Sequence, residues 1–369
     1  MTIPLSAPDI EAADIDAVVE VLRTPRISLG PKLEEFESVF ARFIGVPHAV
    51  ALSSGTAGLH LGLLALGIGE GDEVILPAFT FIAAANAVLH ARARPVLVDV
   101  DARTLNLDPE KVARAITPRT RAILAVHTFG VPADMEPLLA LARRRGLRVI
   151  EDACEAIGAE YDFQRVGGLG DLGVFAFYPN KPITTGEGGM VTTRDVRIAD
   201  TIRALRNQGR RAADGWLDHS LLGYNFRISE MNCALGISQM RRIDEILARR
   251  AAAAARYAAE LECLPGLTLP VQSIENGKLS WFVFVVRVEK PDEMARALAA
   301  RGIATGRYFA PLHRQPLFAP YVNPADDFSV TEKTSAQTLA LPFFTRISGA
   351  AITAVAEHIK KVPLPVPAP

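Results

Sequence analysis

The sequence predicts an α/β fold: a mostly parallel central sheet covered by helices, followed by a smaller α+β C-terminal lobe. Three observations carry this. Strand-like and helix-like segments alternate from about residue 48 to 153. The strand-like segments are apolar throughout, as expected of strands buried on both faces. A second regime begins near residue 228, where a long helical pattern gives way to aromatic and proline-rich segments.

Residues 9–23 and 31–44 carry apolar side chains at helical spacing. "HAVALSS" (48–54) reads as a strand and "TAGLHLGLLALG" (56–67) as a helix. "DEVILP" (72–77), "RPVLVDV" (94–100), "TRAILAVHT" (120–128) and "LRVIEDA" (147–153) read as strands. Helices are expected at "TFIAAANAVLHA" (80–91), near 108–115 and near 134–144. Residues 228–261 read as one helix, about 50 Å long at 1.5 Å per residue, long enough to cross between lobes. "LSWFVFVVRV" (279–288) is a strand, 291–301 a helix, 307–323 an aromatic and proline-rich loop, and 347–360 a last helix. The tail "VPLPVPAP" is expected to fray. A chain of 369 residues exceeds what one hydrophobic core usually serves. The expected division is a large domain at 1–240 and a small one at 241–369, with the helix at 9–23 a candidate for packing on the small lobe.

Composition narrows the function classes. The chain is 49% hydrophobic and 22% charged, with a net charge of −1, which is ordinary for a globular enzyme. No basic block argues for nucleic acid or a membrane surface. The cluster "ARRRG" (142–146) ends a helical pattern and reads as a solvated helix end. Cys154, Cys233 and Cys263 are odd in number and far apart. They form neither a disulfide framework nor a metal-ligand spacing, and no metal site is expected. The N-terminus lacks a basic region followed by an apolar core, and no run of about 18 apolar residues occurs. A cytoplasmic protein is the expectation.

One literal motif misleads. "GLGDLG" (Gly168, Gly170, Gly173) matches a dinucleotide fingerprint, but the strand-like "VFAFYP" follows it where the pyrophosphate-binding helix should begin. Three other features are more informative. "SSGTAGLH" (53–60) follows a strand and opens a helix. The amides of Gly55, Thr56 and Ala57 and the hydroxyls of Ser54 and Thr56 suit a phosphate, although a plain helix N-cap uses the same residues. "VIEDACEA" sets Glu151 and Asp152 at the carboxyl end of a strand, where α/β sheets hold ligands; a helix-capping aspartate is the plainer alternative. Lys181 lies in "FAFYPNKPITTGEGGMVTT" (175–193), between an aromatic run and a stretch of Thr and Gly. A lysine beside apolar walls becomes a usable nucleophile or base, whereas one tolerated in a loop does nothing.

Taken together, a phosphate cradle, a strand-end carboxylate and a lysine are what pyridoxal 5'-phosphate requires. The lysine forms a Schiff base, and the aspartate keeps the pyridine nitrogen protonated so that the ring can accept electrons. The glycines after Lys181 let backbone come close to the cofactor.

The sequence also resembles the DegT/DnrJ/EryC1/StrS family of sugar aminotransferases, fold type I pyridoxal phosphate enzymes, most of all the perosamine synthetase-like group. The resemblance runs the length of the chain through "IPLSAPDI", "GPKLEEFESVFARFIGVPHAVALSSGTAGLHL", "PAFTFIAAANAV", "HTFGVPADM", "IEDACEAIGAEY", "FYPNKPITTGEGG", "GYNFRISEMNCALGISQM" and "YFAPLHRQP". It implies that Lys181 is the Schiff-base lysine and the acid/base of the reaction, and that Asp152 binds the pyridine nitrogen. Ser54, Gly55 and Thr56 would hold the phosphate, and Phe81 would stack on the ring. Glu155 would lie near the ring's phenolic oxygen or the substrate. Asn225 would reach the phosphate of a neighbouring subunit's cofactor, which implies a homodimer with shared sites.

The implied reaction moves an amino group from an amino acid, usually L-glutamate, to a nucleotide-linked keto-sugar by ping-pong kinetics. The cofactor would pass through pyridoxamine 5'-phosphate, and C4 of a 4-keto-6-deoxyhexose is the expected acceptor. Relatives that dehydrate carry histidine in place of the lysine, so Lys181 favours transamination. One departure stands out: Ala176 occupies the position where the family places a serine that contacts the phosphate. A neutral hydrogen bond contributes about 1 kcal/mol, so weaker cofactor retention is expected. His313, Tyr308, Arg210 and Arg211 are the weaker candidates for substrate contact, each with a structural or solvated alternative. His127 reads as a packed strand-end histidine and Cys154 as a buried thiol. Two rival readings remain: an enzyme of this fold acting on a cyclitol or other cyclic ketone, and a non-catalytic regulatory member.

Overall fold

The computed structural model describes residues 2–215 and 217–363. The last six residues of the proline-rich tail, 364–369, lie outside the described residues, as do Met1 and Trp216.

Helices α1 (Ala12–Leu22) and α2 (Pro31–Ile44) precede the first strand. Then β1 (His48–Leu52), α3 (Gly55–Ala65), β2 (Glu73–Pro77), α4 (Ala83–His90), β3 (Arg94–Val98), α5 (Pro109–Ala115), β4 (Thr120–Val126), α6 (Met135–Arg145) and β5 (Arg148–Asp152) alternate. The short strands β6 (Glu160–Tyr161) and β7 (Gln164–Arg165) form a hairpin. β8 (Leu172–Ala176), β9 (Gly189–Thr193) and α7 (Val196–Arg206) complete this region.

The central sheet has seven strands in the order β1-β9-β8-β5-β4-β2-β3. β9 runs antiparallel to both its neighbours, and the other pairings are parallel. The reversal of β9 brings its first residue, Gly189, to the edge where the parallel strands end. Both faces of the sheet are covered, as the continuous apolar strands require. Leu59, Val88 and Ile202 of α3, α4 and α7 pack on one face. Phe36 and Phe40 of α2, with Val112 of α5 and Leu138 of α6, pack on the other.

The long helix expected over 228–261 is two helices, α8 (Glu230–Arg241) and α9 (Ile243–Leu261). The chain leaves helical geometry at Arg242 (φ −121°, ψ 22°). Its guanidinium binds Asp9 at 2.9 Å and Asp14 at 2.8 Å, and Gln239 donates to Asp14 Oδ2 at 2.7 Å. This buried ionic cluster anchors α1, which packs on α8, while Asp9 and Glu11 at its start also pair with Arg346 of the small lobe. The residues before α1 reach the small lobe too. Ile3 bridges to Ile303, and the Leu5 carbonyl accepts from Phe343 N at 2.9 Å.

The remaining elements are β10 (Leu267–Thr268), β11 (Gly277–Lys278), β12 (Phe284–Val288), α10 (Pro291–Ala299), α11 (Ser329–Gln337), β13 (Thr338–Leu341) and α12 (Gly349–Lys360). An antiparallel sheet in the order β10-β12-β13 is backed by Tyr257 of α9, Leu298 of α10 and Val355 of α12. The strand expected at 279–288 begins only at Phe284. The carbonyls of Trp281 and Phe282 accept from the guanidinium of Arg250 at 2.6 and 2.7 Å, and Ser280 N donates to Gly130 O. These bonds turn residues 280–283 out of the sheet and toward the larger one.

Candidate active site

The parallel strands end at one edge, and a cavity of about 450 Å³ opens there. Its walls come from the segments that follow β1, β2, β5 and β8, together with Phe282, Tyr308 and Phe309. Every residue expected to touch the cofactor within one chain lines it: Ser54, Gly55, Thr56, Phe81, Asp152, Glu155 and Lys181.

Ser54 caps α3 through Oγ, which accepts from Ala57 N at 3.0 Å. The plain capping role therefore holds. It also leaves the first-turn amides of Gly55 and Thr56 at the cavity wall, where the positive end of the helix favours an anion. Two glycine contacts make this loop possible. A Cβ on Gly55 would lie 2.8 Å from Ala176 Cβ and 2.9 Å from Cys154 Sγ. A Cβ on Gly189 would overlap the backbone of Ser54 and Gly55. The glycine that opens β9 thus makes room for the turn at Ser54 and Gly55, and Gly188 is the one that lines the cavity.

Glu151 and Asp152 divide their work because successive strand residues face opposite ways. Glu151 is fully buried and accepts from the amides of Gly167, Leu169 and Gly170 at 2.7–2.8 Å. The glycine motif that mimics a dinucleotide fingerprint is a loop wrapped around this carboxylate. Glu151 also pairs with His127 Nε2 at 3.1 Å, while His127 Nδ1 accepts from Ala133 N. His127 is therefore the packed strand-end residue that its position suggested. Asp152 faces the cavity, with Oδ1 accepting from Cys154 N at 3.1 Å. Burial and the Asp152 carboxylate push the Cys154 thiol well above its ordinary value, so it stays protonated.

The threonines around Lys181 fasten its loop. Thr184 Oγ1 donates to Phe177 O at 2.9 Å, and Thr185 Oγ1 to Glu187 O at 2.7 Å. Asn232 of α8 donates to the carbonyls of Thr185 and Glu187. Held this way, Lys181 is 13% exposed with its Nζ 3.8 Å from Glu155 Oε1. Its Nζ also lies 3.8 Å from the centroid of the Phe282 ring. Burial pushes the Glu155 carboxyl up, with Asp152 adding to the rise; the Lys181 ammonium and the amide of Phe129 oppose it. Phe81 stands at the mouth, 59% exposed.

The donor set fits pyridoxal phosphate. A helix N-terminus lies at one end, a buried carboxylate and an amine face the same space, and an exposed aromatic stands beside them. Asn180 adds a buried side-chain oxygen without a hydrogen-bond partner.

The weaker candidates divide. Tyr308 lines the cavity. Its hydroxyl is raised by burial and by Glu155, against a hydrogen bond with Asn180. His313 does not line it: Nε2 pairs with Glu332 at 3.1 Å and the ring stacks on Phe328 at 4.2 Å. Arg210, Arg211 and the exposed Asn225 also lie outside the cavity lining in the single chain. Thr80, Tyr178, Asn180, Glu187, Phe282 and Phe309 line it without having been singled out. Tyr178 and Asn180 were legible as neighbours of Lys181. Phe282 was not, because "LSWFVFVV" reads as continuous strand.

A model of the DegT/DnrJ/EryC1/StrS aminotransferase family matches residues 8–360. The chain belongs to this family. It is 41% identical to the GDP-perosamine synthase of Caulobacter vibrioides, over 98% of both chains. Among solved structures it is similar to DesV of S. venezuelae in complex with a ketimine intermediate, with 38% identity, TM-score 0.91 and coverage of 97% and 98%. Spr1654 of Streptococcus pneumoniae in its PMP form is 28% identical, with TM-score 0.93 and coverage of 98% and 97%. The protein is an aminotransferase with the fold of the pyridoxal-phosphate-dependent aminotransferases. Among the described residues, no helix is long and apolar enough to cross a membrane.

Proposed function

We propose that this aminotransferase uses pyridoxal 5'-phosphate to move the amino group of L-glutamate onto a nucleotide-linked keto-sugar, at C4 of a 4-keto-6-deoxyhexose. The observation that carries the reading is the meeting of Lys181, Asp152 and the N-terminus of α3 in one cavity, from three separate segments. The likeness to a GDP-perosamine synthase supports the acceptor class.

Bound there, the cofactor supplies an electron sink for a substrate carbanion. The amides of Gly55 and Thr56 would hold its phosphate, Asp152 would keep its ring nitrogen protonated, and Phe81 would pack against the ring. Lys181 Nζ takes the proton from the donor's Cα and returns a proton on the acceptor side, so one amine serves both halves of the reaction.

The charges in the cavity imply a partner. Asp152, Glu155 and Glu187 stand against Lys181 alone, yet the cofactor phosphate, the donor's carboxylates and the sugar's diphosphate are all anions. The missing cations come from a second copy in a homodimer, through the loop that bears Arg210 and Arg211, with Asn225 reaching the neighbouring phosphate. Leu217 and Leu222 of that loop are 82% and 89% exposed in the single chain, as residues buried by a partner would be. The proposed domain division at 240/241 falls beside Arg242, where α8 gives way to α9.

The test is the half-reaction. Purified protein loaded with pyridoxal phosphate is mixed with L-glutamate and its visible absorbance followed; nucleotide-linked keto-sugars are then added one by one. Bleaching by glutamate and recovery with one sugar is the expected result. A loaded protein that ignores glutamate overturns the donor, and failure to bind cofactor overturns the whole reading.

A further inference from the structure

The cavity holds one amine, and the Glu155 carboxylate 3.8 Å from it, expected beside the cofactor or substrate, has been given no part in moving protons. Resting on the reading of Lys181 as the proton carrier, we propose that Glu155 sets the base strength of Lys181: its carboxylate is the counter-charge that stabilises the ammonium formed whenever Lys181 picks up a proton.

The geometry supports a dedicated pair. Glu155 is 7% exposed and its Oε2 is fixed by Phe129 N at 2.9 Å, so Oε1 is the atom turned toward Lys181 Nζ. Phe282 presents its ring to the same nitrogen at 3.8 Å, an arrangement that also favours the ammonium. The titratable groups facing Glu155 are Lys181, Asp152, Cys154 and Tyr308. Lys181 is the only cation among them. Asp152 is the only other carboxylate, and its proximity works against ionising Glu155.

The proton balance is closed. When Nζ abstracts a proton it becomes an ammonium beside the ionised carboxylate. When it delivers that proton it returns to the free amine. A lysine without the counter-charge would lose its proton more readily and bind a substrate proton less strongly.

The experiment reads Lys181 directly. Cofactor-free protein is labelled with a limiting amount of acetic anhydride across a pH series, and acetylation at Lys181 is quantified by mass spectrometry. In Glu155→Gln, which keeps shape and hydrogen bonding but not charge, the labelling midpoint should fall by about one to two pH units, as removal of a neighbouring opposite charge requires. Glu155→Asp should restore part of the shift. In the loaded enzyme, the acid limb of the glutamate half-reaction should move down by a similar amount, and the maximal rate should fall about 10- to 100-fold. An unchanged labelling midpoint in a folded Glu155→Gln overturns the proposal. A midpoint that shifts in a protein unable to bind cofactor upholds the pair and sinks the reading of the reaction instead.

Discussion

The ring of Phe282 lies with its centroid 3.8 Å from Nζ of Lys181. The two residues come from distant segments of the chain, Lys181 from the loop after β8 and Phe282 from the chain entering β12. What sets Phe282 there is Arg250, fully buried, which takes the carbonyls of Trp281 and Phe282 and bonds Thr345 Oγ1 at 3.1 Å. A buried cation with hydrogen-bonded partners fixes backbone that would otherwise continue the sheet.

Phe282→Leu keeps an apolar side chain but removes the π face. A partly desolvated cation–π contact contributes about 1–2 kcal/mol, so the labelling midpoint of Lys181 should fall by about one pH unit while thermal stability changes little. A midpoint equal to wild type would show the ring to be packing only.

Ala176→Ser should tighten cofactor binding. Ala176 lines the cavity beside Gly55, where a hydroxyl would meet the phosphate. One added neutral hydrogen bond contributes about 1 kcal/mol, or roughly fivefold in affinity. Equilibrium dialysis of the cofactor measures it.

Gly189→Ala should fail in the opposite sense. The added methyl would overlap the backbone of Ser54 and Gly55, which cannot rotate away as a side chain can. Overpacking of this kind costs about 1–3 kcal/mol and pushes the loop off β9. A lower midpoint in urea together with cofactor loss on gel filtration is expected.

Glu151 and Asp152 should separate by readout. Glu151→Ala strands three amides and His127 in a buried site, which should cost about 3 kcal/mol or more in chemical denaturation. Asp152→Asn should fold normally and slow the glutamate half-reaction by about 100-fold or more. The reverse pattern would exchange the two roles.

Acid should unfold the protein through aspartates that hydrogen bonds hold ionised. At Asp14, Asp99 and Asp101 burial alone would raise the carboxyl, but hydrogen bonds outweigh it and hold all three below 3.8. At Asp99 these come from Thr331 and Lys111, tying the residue after β3 to α11 and α5. A carboxyl depressed in the folded state contributes stability that is present above the unfolded value and lost as pH falls through the folded one. The thermal midpoint should therefore hold down to about pH 4 and drop below it. Asp99→Asn should lower the plateau and flatten the drop. A midpoint that declined steadily from neutral pH would point to other groups.

Local pattern was enough to read the alternating strands and helices, because strands buried on both faces are apolar without interruption and amphipathic helices repeat at 3.6 residues. The candidate cofactor set was legible for the same reason: a helix start, a strand end and the loop after a strand all fall at one edge once the sheet is parallel. Resemblance to a known family then supplied their roles. The failures are equally specific. Nothing in the helix-favouring run 228–261 signals a break, since the break is made by Asp9 and Asp14 from the other end of the chain. Nothing in "LSWFVFVV" says that Phe282 leaves the sheet, since Arg250 decides it. The threonines and glycines around Lys181 drew attention in the sequence, but which glycine serves the neighbouring loop and which the cavity depends on β9 running antiparallel.

By itself the sequence determined the α/β class and the mostly parallel core, and it put forward the lysine, the carboxylate and the helix start that meet in the cavity, because each follows from local spacing and side-chain chemistry. Only the tertiary structure decided that α8 and α9 part at Arg242, that Glu151 is spent on a loop while Asp152 faces the cavity, and that Glu155 and Phe282 flank the lysine. Those outcomes rest on buried charges and ring contacts between segments distant in the chain, and a partner that distant leaves no periodicity in the sequence around it.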